Sequence, residues 1–321
     1  MRTKLYMIAL AAMTMMLGSC SDSNSEFSQD YLADTPIKLN VSVDEPTTRA
    51  GYSKTVLPES FCLWVYHDDN HNDKYNYDIL AEKVGDIWKT YDLNAYQTKN
   101  EVTMLWANMT DPVTVNAMVN NNQIDVPTDQ SDVEQLKKAD ILYMPITQVT
   151  PNKAGINVEF QHITSKINLT IELGSEYEFT DKIDQEITDV KIGGTIAQIS
   201  FANDDKGNVI IGADPEGEVN SITPLCTGTT PYSKTNGVIT KATATYEAIL
   251  IPQTIASGNF TVSFKVDGKL YEWTYNQELT LVPTTAYTLK LTAGDDKVQP
   301  VSFSVAAWGK GNGDGEKKET D

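Results

Sequence analysis

Apolar residues in this chain recur at every second position, and that period constrains the fold more than any other feature. Ile37, Leu39, Val41 and Val43 alternate with Lys38, Asn40 and Ser42; Phe260, Val262, Phe264 and Val266 alternate with Thr261, Ser263 and Lys265. Such a period sends one set of side chains to one face of a strand and the other set to the opposite face. Further runs of this kind, rich in β-branched and aromatic residues, cover Phe61 to Tyr66, Val113 to Met118, Ile156 to Phe160, Ile167 to Leu173, Asp189 to Ile192, Thr243 to Ile251, Ala286 to Leu291 and Val301 to Val305. Turn signals such as Asp205-Lys206-Gly207-Asn208, Thr235-Asn236-Gly237 and Asp267-Gly268 separate them. One short helix is expected at Ser131 to Lys138, with Ser131 as its cap and Glu134 three residues on. Many short strands with regular turns predict an all-β chain of antiparallel sandwiches rather than an α/β enzyme.

A sandwich of this kind takes roughly 100 residues, so a chain of 321 residues suits two in tandem. The junction is expected near His162-Ile163-Thr164-Ser165, just before the run that starts at Ile167. The expected organisation is a leader at 1–19, a flexible tether at 20–36, and β-sandwich domains at 37–165 and 166–308. The Gly-rich, charged tail at 309–321 is expected to be flexible.

The chain begins with a basic Met1-Arg2-Thr3-Lys4, an apolar run from Leu5 to Leu17, and then Gly18-Ser19-Cys20. This is the anatomy of a secretory signal peptide, and the run falls short of the roughly 20 apolar residues that span a bilayer. A Cys directly after Leu17-Gly18-Ser19 resembles the lipobox of bacterial lipoproteins, which implies acylation of Cys20 and anchoring in the cell outer membrane. Acyl chains hold because each buried methylene contributes about 0.8 kcal/mol.

A net charge of -19 argues against nucleic acid as a partner. Besides Cys20 the cysteines are Cys62 and Cys226, without metal-type spacing, and two buried free thiols are expected. Asp68, Asn70 and Asn72 have the 1, 3, 5 spacing of a calcium loop, but Asp73 stands where Gly is needed and Ile79 where Glu is needed. A solvated loop is the better reading, so no metal and no cofactor are expected. There is no G-x-S-x-G elbow, H-E-x-x-H helix or P-loop, and nothing singles out a pair of carboxylates, so catalysis is not expected. Trp88, Tyr91, Tyr96 and Trp106 either form a sugar-stacking face or fill the first core, and the core is the expectation.

Several segments together resemble the fimbrillin-like family of surface lipoproteins, the subunits of type V pili. They are Cys20, Thr48-Arg49-Ala50, the stretch from Val158 to Ile167, Leu250-Ile251-Pro252-Gln253, Leu270-Tyr271-Glu272-Trp273 and Val305-Ala306-Ala307-Trp308. The resemblance spans nearly the whole chain. It implies two tandem transthyretin-like β-sandwich domains and assembly by strand exchange. An arginine-specific surface protease removes the first strand, and a strand of the next subunit fills the groove. On this resemblance Ile37, Leu39, Val41 and Val43 form the plug strand, and the cut falls between Arg49 and Ala50. Val301, Phe303, Val305 and Ala307 form the candidate donor strand. Arg49 is one of very few arginines and lies in a small, polar stretch. Four buried plug side chains would contribute about 6–12 kcal/mol as an upper bound. The chain is thus expected to be a fimbrial subunit or adhesin at the cell surface, with other pilin subunits as partners. The alternative is a solitary surface lipoprotein that binds a glycan or host protein and never polymerises.

Overall fold

The computed structural model describes residues 32–44, 51–67, 73–175, 177, 186–236, 238–294, 297–308 and 316–318. Strands dominate it. In the first half, Leu39–Val43 (β1), Ser60–His67 (β2), Tyr77–Val84 (β3), Ile87–Asp92 (β4), Val113–Val119 (β5), Leu142–Val149 (β6) and Ile156–His162 (β7) form one sheet. Its order is β1-β7-β6-β5-β2-β3-β4. The two-residue period sets the burial: Ile156, Val158 and Phe160 of β7 face inward, and Asn157 and Glu159 face water.

This sheet curls back on itself. Residues 100–106 run beside β4, where the Val102 N–H donates to Thr90 O at 2.8 Å. They then meet the approach to β1, where Ile37 N–H donates to Met104 O at 2.9 Å and Asp34 N–H to Trp106 O at 2.8 Å. The enclosed core includes Phe61, Leu63, Met104, Trp106, Val115 and Phe160. Trp106 and Tyr91 are buried, and Trp88 packs edge-on against Phe61 with centroids 5.0 Å apart. Trp106 and Trp88 belong to this core, whereas Tyr91 pairs with Leu80 on the opposite face of the sheet, so the core expectation does not hold for it.

In the second half two sheets face each other. One has four strands in the order Val219–Ile222, Ile187–Ile196, Thr261–Val266, Lys269–Thr274. The other has six: Leu225–Thr230, Thr243–Leu250, Ser165–Leu173, Thr285–Ala293, Val298–Ala307 and Glu316–Lys318. Leu169, Ile171, Val262, Phe264, Leu289 and Phe303 fill the space between them.

A third apolar cluster joins the halves, with Met118, Leu136 and Tyr143 from the first and Ile199, Ile249 and Trp308 from the second. Beside it the buried Gln130 amide clamps one residue of the second half from both sides. Its Nε2–H donates to Ile249 O at 2.8 Å, and its Oε1 accepts the Ile249 N–H at 2.8 Å. Each group would be costly if left unsatisfied there, so the clamp fixes register as well as contact.

Four local expectations need correction. The helix is Val133–Ala139, and its cap is Asp132, not Ser131: the Asp132 carboxylate accepts the Gln135 N–H at 2.8 Å. Either residue can cap, and the chain direction selects the one whose oxygen reaches the free N–H groups. The sheets are not wholly antiparallel, because β1 runs parallel to β7 and Thr285–Ala293 runs parallel to Ser165–Leu173. In each case strands far apart in sequence meet, which removes the hairpin constraint that enforces antiparallel pairing. Cys62 is buried, and burial pushes its thiol up to about 11, but Cys226 is exposed because its neighbour Leu225 takes the inward position. Finally, within the tail expected to be flexible, Glu316–Lys318 pairs with Phe303–Val305, whose outer edge offers unpaired backbone groups.

Candidate functional site

The plug segment crosses from one wall of the first core to another. Its leading residues 34–37 pair with 104–106 in the antiparallel sense, through a bridge between Pro36 and Leu105. β1 itself then pairs in parallel with β7, from Leu39 opposite Ile156 to Val43 opposite Phe160. The bonds Ile156 N–H to Lys38 O and Asp44 N–H to Phe160 O, both 2.8 Å, close the two ends of that ladder. Among the described residues β1 stands at the edge of the sheet with β7 as its single strand neighbour.

Of the four plug side chains only Val43 is fully buried; Ile37, Leu39 and Val41 are half-buried against the core. The expectation of four buried side chains is therefore wrong. An edge strand has no second neighbour to cover it, so its apolar face keeps contact with water, and the upper bound of about 6–12 kcal/mol falls accordingly. Gly155 is what lets the strand seat at all. It has φ of +92°, and a Cβ there would lie 2.2 Å from Lys38 O.

Cys20, Arg49 and Ala50 lie outside the described residues, as does the calcium-like stretch 68–72. The chain resumes at Gly51, which is buried with φ of +89°. Tyr52 N–H then donates to Asp140 Oδ2 at 3.4 Å. Burial first, and then the negative charges of Asp140, Glu134 and Glu59, push the Tyr52 phenol up to about 12. Asp140 is fully buried at the end of the helix, and its other oxygen is 2.8 Å from His162 Nδ1 at the end of β7. Asn120 braces the same corner by donating to the backbone carbonyls of Lys137 and Asp140, each at 2.9 Å. The first described residues after Arg49 are thus tied to a buried polar pair at the joint between the halves.

The candidate donor strand is also less regular than its sequence. Phe303 is buried against Tyr275 and Tyr287, Val305 is half-buried, Ala307 is exposed, and Val301 is 55% exposed. A register shift explains this. Lys290 pairs with Ser302 and Leu291 with Pro300, which leaves Val301 as the extra residue of a bulge. Inward alternation restarts only at Phe303.

A model of the fimbrillin-like family matches residues 48–308. The chain belongs to the fimbrillin-like family. Membership makes it a fimbrial-type protein of the cell surface. No curated protein matches it. A solved structure of a proposed cell adhesion protein from Bacteroides ovatus shares the fold, with a TM-score of 0.56 and 14% identity over 86% of this chain and 98% of that one. A proposed cell adhesion protein from Bacteroides uniformis (TM-score 0.49, 16% identity, 85% and 98% covered) and the tip fimbrial protein Mfa3 from Porphyromonas gingivalis (0.42, 9%, 78% and 94%) are more distantly similar. In this fimbrillin-like chain the family match begins one residue before Arg49 and leaves β1 outside it. Among the described residues no helix is long and apolar enough to cross a membrane.

Sequence reasoning placed His162 in a family-like segment but missed its partners. Asp140 caps the C-terminus of the helix, and Trp308 lies at the far end of the second half. The available signal was polarity set in apolar surroundings, as in Ala139-Asp140-Ile141 and Tyr246-Glu247-Ala248.

Proposed function

We propose that this fimbrillin-like chain is a fimbrial subunit assembled by strand exchange. It is exported as a lipoprotein acylated at Cys20 and held in the outer membrane. An arginine-specific surface protease then cuts between Arg49 and Ala50, and β1 departs. A strand of another pilin subunit occupies the vacated slot, and the resulting fibre mediates cell adhesion.

The position of β1 carries this reading. Among the described residues β1 has one strand neighbour, a parallel ladder and one fully buried side chain, so beyond that ladder and the short pairing of 34–37 with 104–106 few contacts hold the segment once the chain is cut. Its departure uncovers the β7 ladder edge together with apolar surface at Met104, Trp106 and Phe160. An open edge beside an apolar slot is what strand addition recognises. Arg49 is the only arginine after Arg2, so such a protease has a single target in the exported chain.

Limited digestion of the soluble chain starting at Ser21, followed by mass spectrometry and analysis of SDS-resistant ladders, tests the proposal. A clean cut after Arg49 followed by ladders is expected, and Arg49→Ala should abolish both. A cut that leaves a stable monomer favours a solitary surface-binding lipoprotein instead. One observation supports that second reading: a cleft of about 550 Å³ between β6 and β7, lined by Gln148, Asn152, Asn157, Glu159 and Gln161. Amides and a carboxylate of this kind suit sugar hydroxyls, and glycan binding by the uncut monomer would check it.

A further inference from the structure

The C-terminal strand Val298–Ala307 ends in a ring seated at the joint between the halves. Trp308 is 5% exposed, and its indole stacks on the His162 imidazole with centroids 3.9 Å apart and planes 12° from parallel. The Lys166 ammonium lies 5.7 Å from the centroid of the same indole. Lys166 is itself buried, with Glu247 Oε2 3.1 Å away but off hydrogen-bond geometry, so the π-face is part of what stabilises that charge. The backbone is held too, because Trp308 N–H donates to Thr284 O at 2.7 Å. Thr284 in turn donates its hydroxyl to His162 O at 2.6 Å and its N–H to Thr164 O at 3.0 Å. Behind His162 stands the buried Asp140, which also accepts the Tyr52 N–H.

The rest of the strand is held mainly by its backbone ladders, to Thr285–Ala293 along its length and to Glu316–Lys318 at 303–305, and little by its side chains. Residues 299–302 are exposed, the ladder slips at Val301, and between Val298 and Trp308 only Phe303 and Trp308 are fully buried. Beyond those ladders, buried side chains resist fraying from the Val298 end first at Phe303 and last at the indole.

We propose that Trp308 is a latch that keeps the C-terminal strand in its own half, and that His162 and Lys166 are the catch. The purpose of the latch rests on the strand-exchange reading, since a strand free to leave too early would pair with the wrong slot. The retention itself does not depend on that reading. An indole is needed because it satisfies two demands at once: it covers the imidazole face to face and offers π density to a buried ammonium. Alanine would admit water to Lys166, His162 and Asp140, and phenylalanine would keep part of the cover.

Amide hydrogen exchange on the soluble chain, read by mass spectrometry for wild type, Trp308→Ala and Trp308→Phe, tests this. In Trp308→Ala, exchange over 298–307 should rise about tenfold or more while β2, β3 and β5 stay unchanged; Trp308→Phe should give a smaller rise of the same pattern. An unchanged 298–307 segment in folded Trp308→Ala overturns the proposal. So does a uniform rise across the second half, which would make Trp308 an ordinary core residue. If Trp308→Ala does not fold, Trp308→Phe is decisive on the same segment, and Lys166→Met provides a second local loosening through the catch. Ladder formation after cleavage at Arg49 then separates the two proposals. Local loosening without ladders in any variant leaves the latch standing and removes the assembly reading. Ladders that form no faster in Trp308→Ala than in wild type overturn the gating role.

Discussion

Two strands carry almost the same apolar pattern and hold very different places in the molecule. Ile37, Leu39, Val41 and Val43 lead the first half; Ile167, Leu169, Ile171 and Leu173 lead the second. Each strand runs parallel to a late strand of its own half, β1 to β7 and Ser165–Leu173 to Thr285–Ala293. Ser165–Leu173 also pairs with Thr243–Leu250 on its other side, and all four of its inward residues are buried. Among the described residues β1 has no strand on its other side, and Leu39, Val41 and the preceding Ile37 are only half-buried. Alternation thus says that a strand has an apolar face, while the number of neighbours decides how much that face stabilises. That difference is what suits β1, and not its counterpart, to removal.

The largest effect should come from the enclosed strand. Leu169 is 1% exposed in the middle of the second core, so Leu169→Ala should cost about 3–5 kcal/mol in denaturant unfolding. A loss below about 1 kcal/mol would mean that the two strands are held alike and would end the contrast. Next is Gly155→Ala. The new Cβ would collide with Lys38 O, at a residue whose backbone is in the left-handed region, so about 2 kcal/mol or more should be lost from the seating of β1. The signature is local, with faster amide exchange at Ile156 and in β1 and an intact second half. Loosening confined to the second half would show that Gly155 does not seat β1.

Within β1 the graded burial makes its own test. Val43→Ala should cost about 2 kcal/mol and Leu39→Ala about 1 kcal/mol or less, compared by unfolding of the uncut chain. Equal costs would mean that the outer edge is covered in solution, by another copy or by chain outside the described residues.

How far the sequence reached follows from the same contrast. The period of two located ten of the 23 described strands, because alternation is local, and it passed over short or edge strands such as Ile87–Asp92 and Val219–Ile222. Edge and centre were not legible, since both strands alternate equally well and only long-range pairing distinguishes them. The slip at Val301 is likewise invisible in an alternating run, although Pro300, which lacks an N–H for a ladder, hinted at a bulge or an edge. At the candidate site, the apolar plug residues were legible as a face. The joint was not: Asp140, His162, Lys166, Glu247 and Trp308 come from five separate elements, and their partnership exists only once both halves have packed.

The smallest expected effect asks what holds β1 once its few buried contacts are counted. Asn40 faces water, and its side chain spans the strand pair, donating to Ala154 O at 2.9 Å and to Asn157 Oδ1 at 3.1 Å. Both bonds are exposed, so water replaces them when the amide is removed, and little net stability should go with them. Asn40→Ala should therefore change unfolding by about 0.5 kcal/mol or less and amide exchange at Ile156 by about twofold. The comparison with Gly155→Ala is what makes this small number useful. If the backbone ladder and Val43 hold the strand, the glycine variant frees β1 and the asparagine variant does not. If Asn40→Ala also frees it, the outer-face amide bonds are the real fastening, and the buried face contributes less than its alternation suggests.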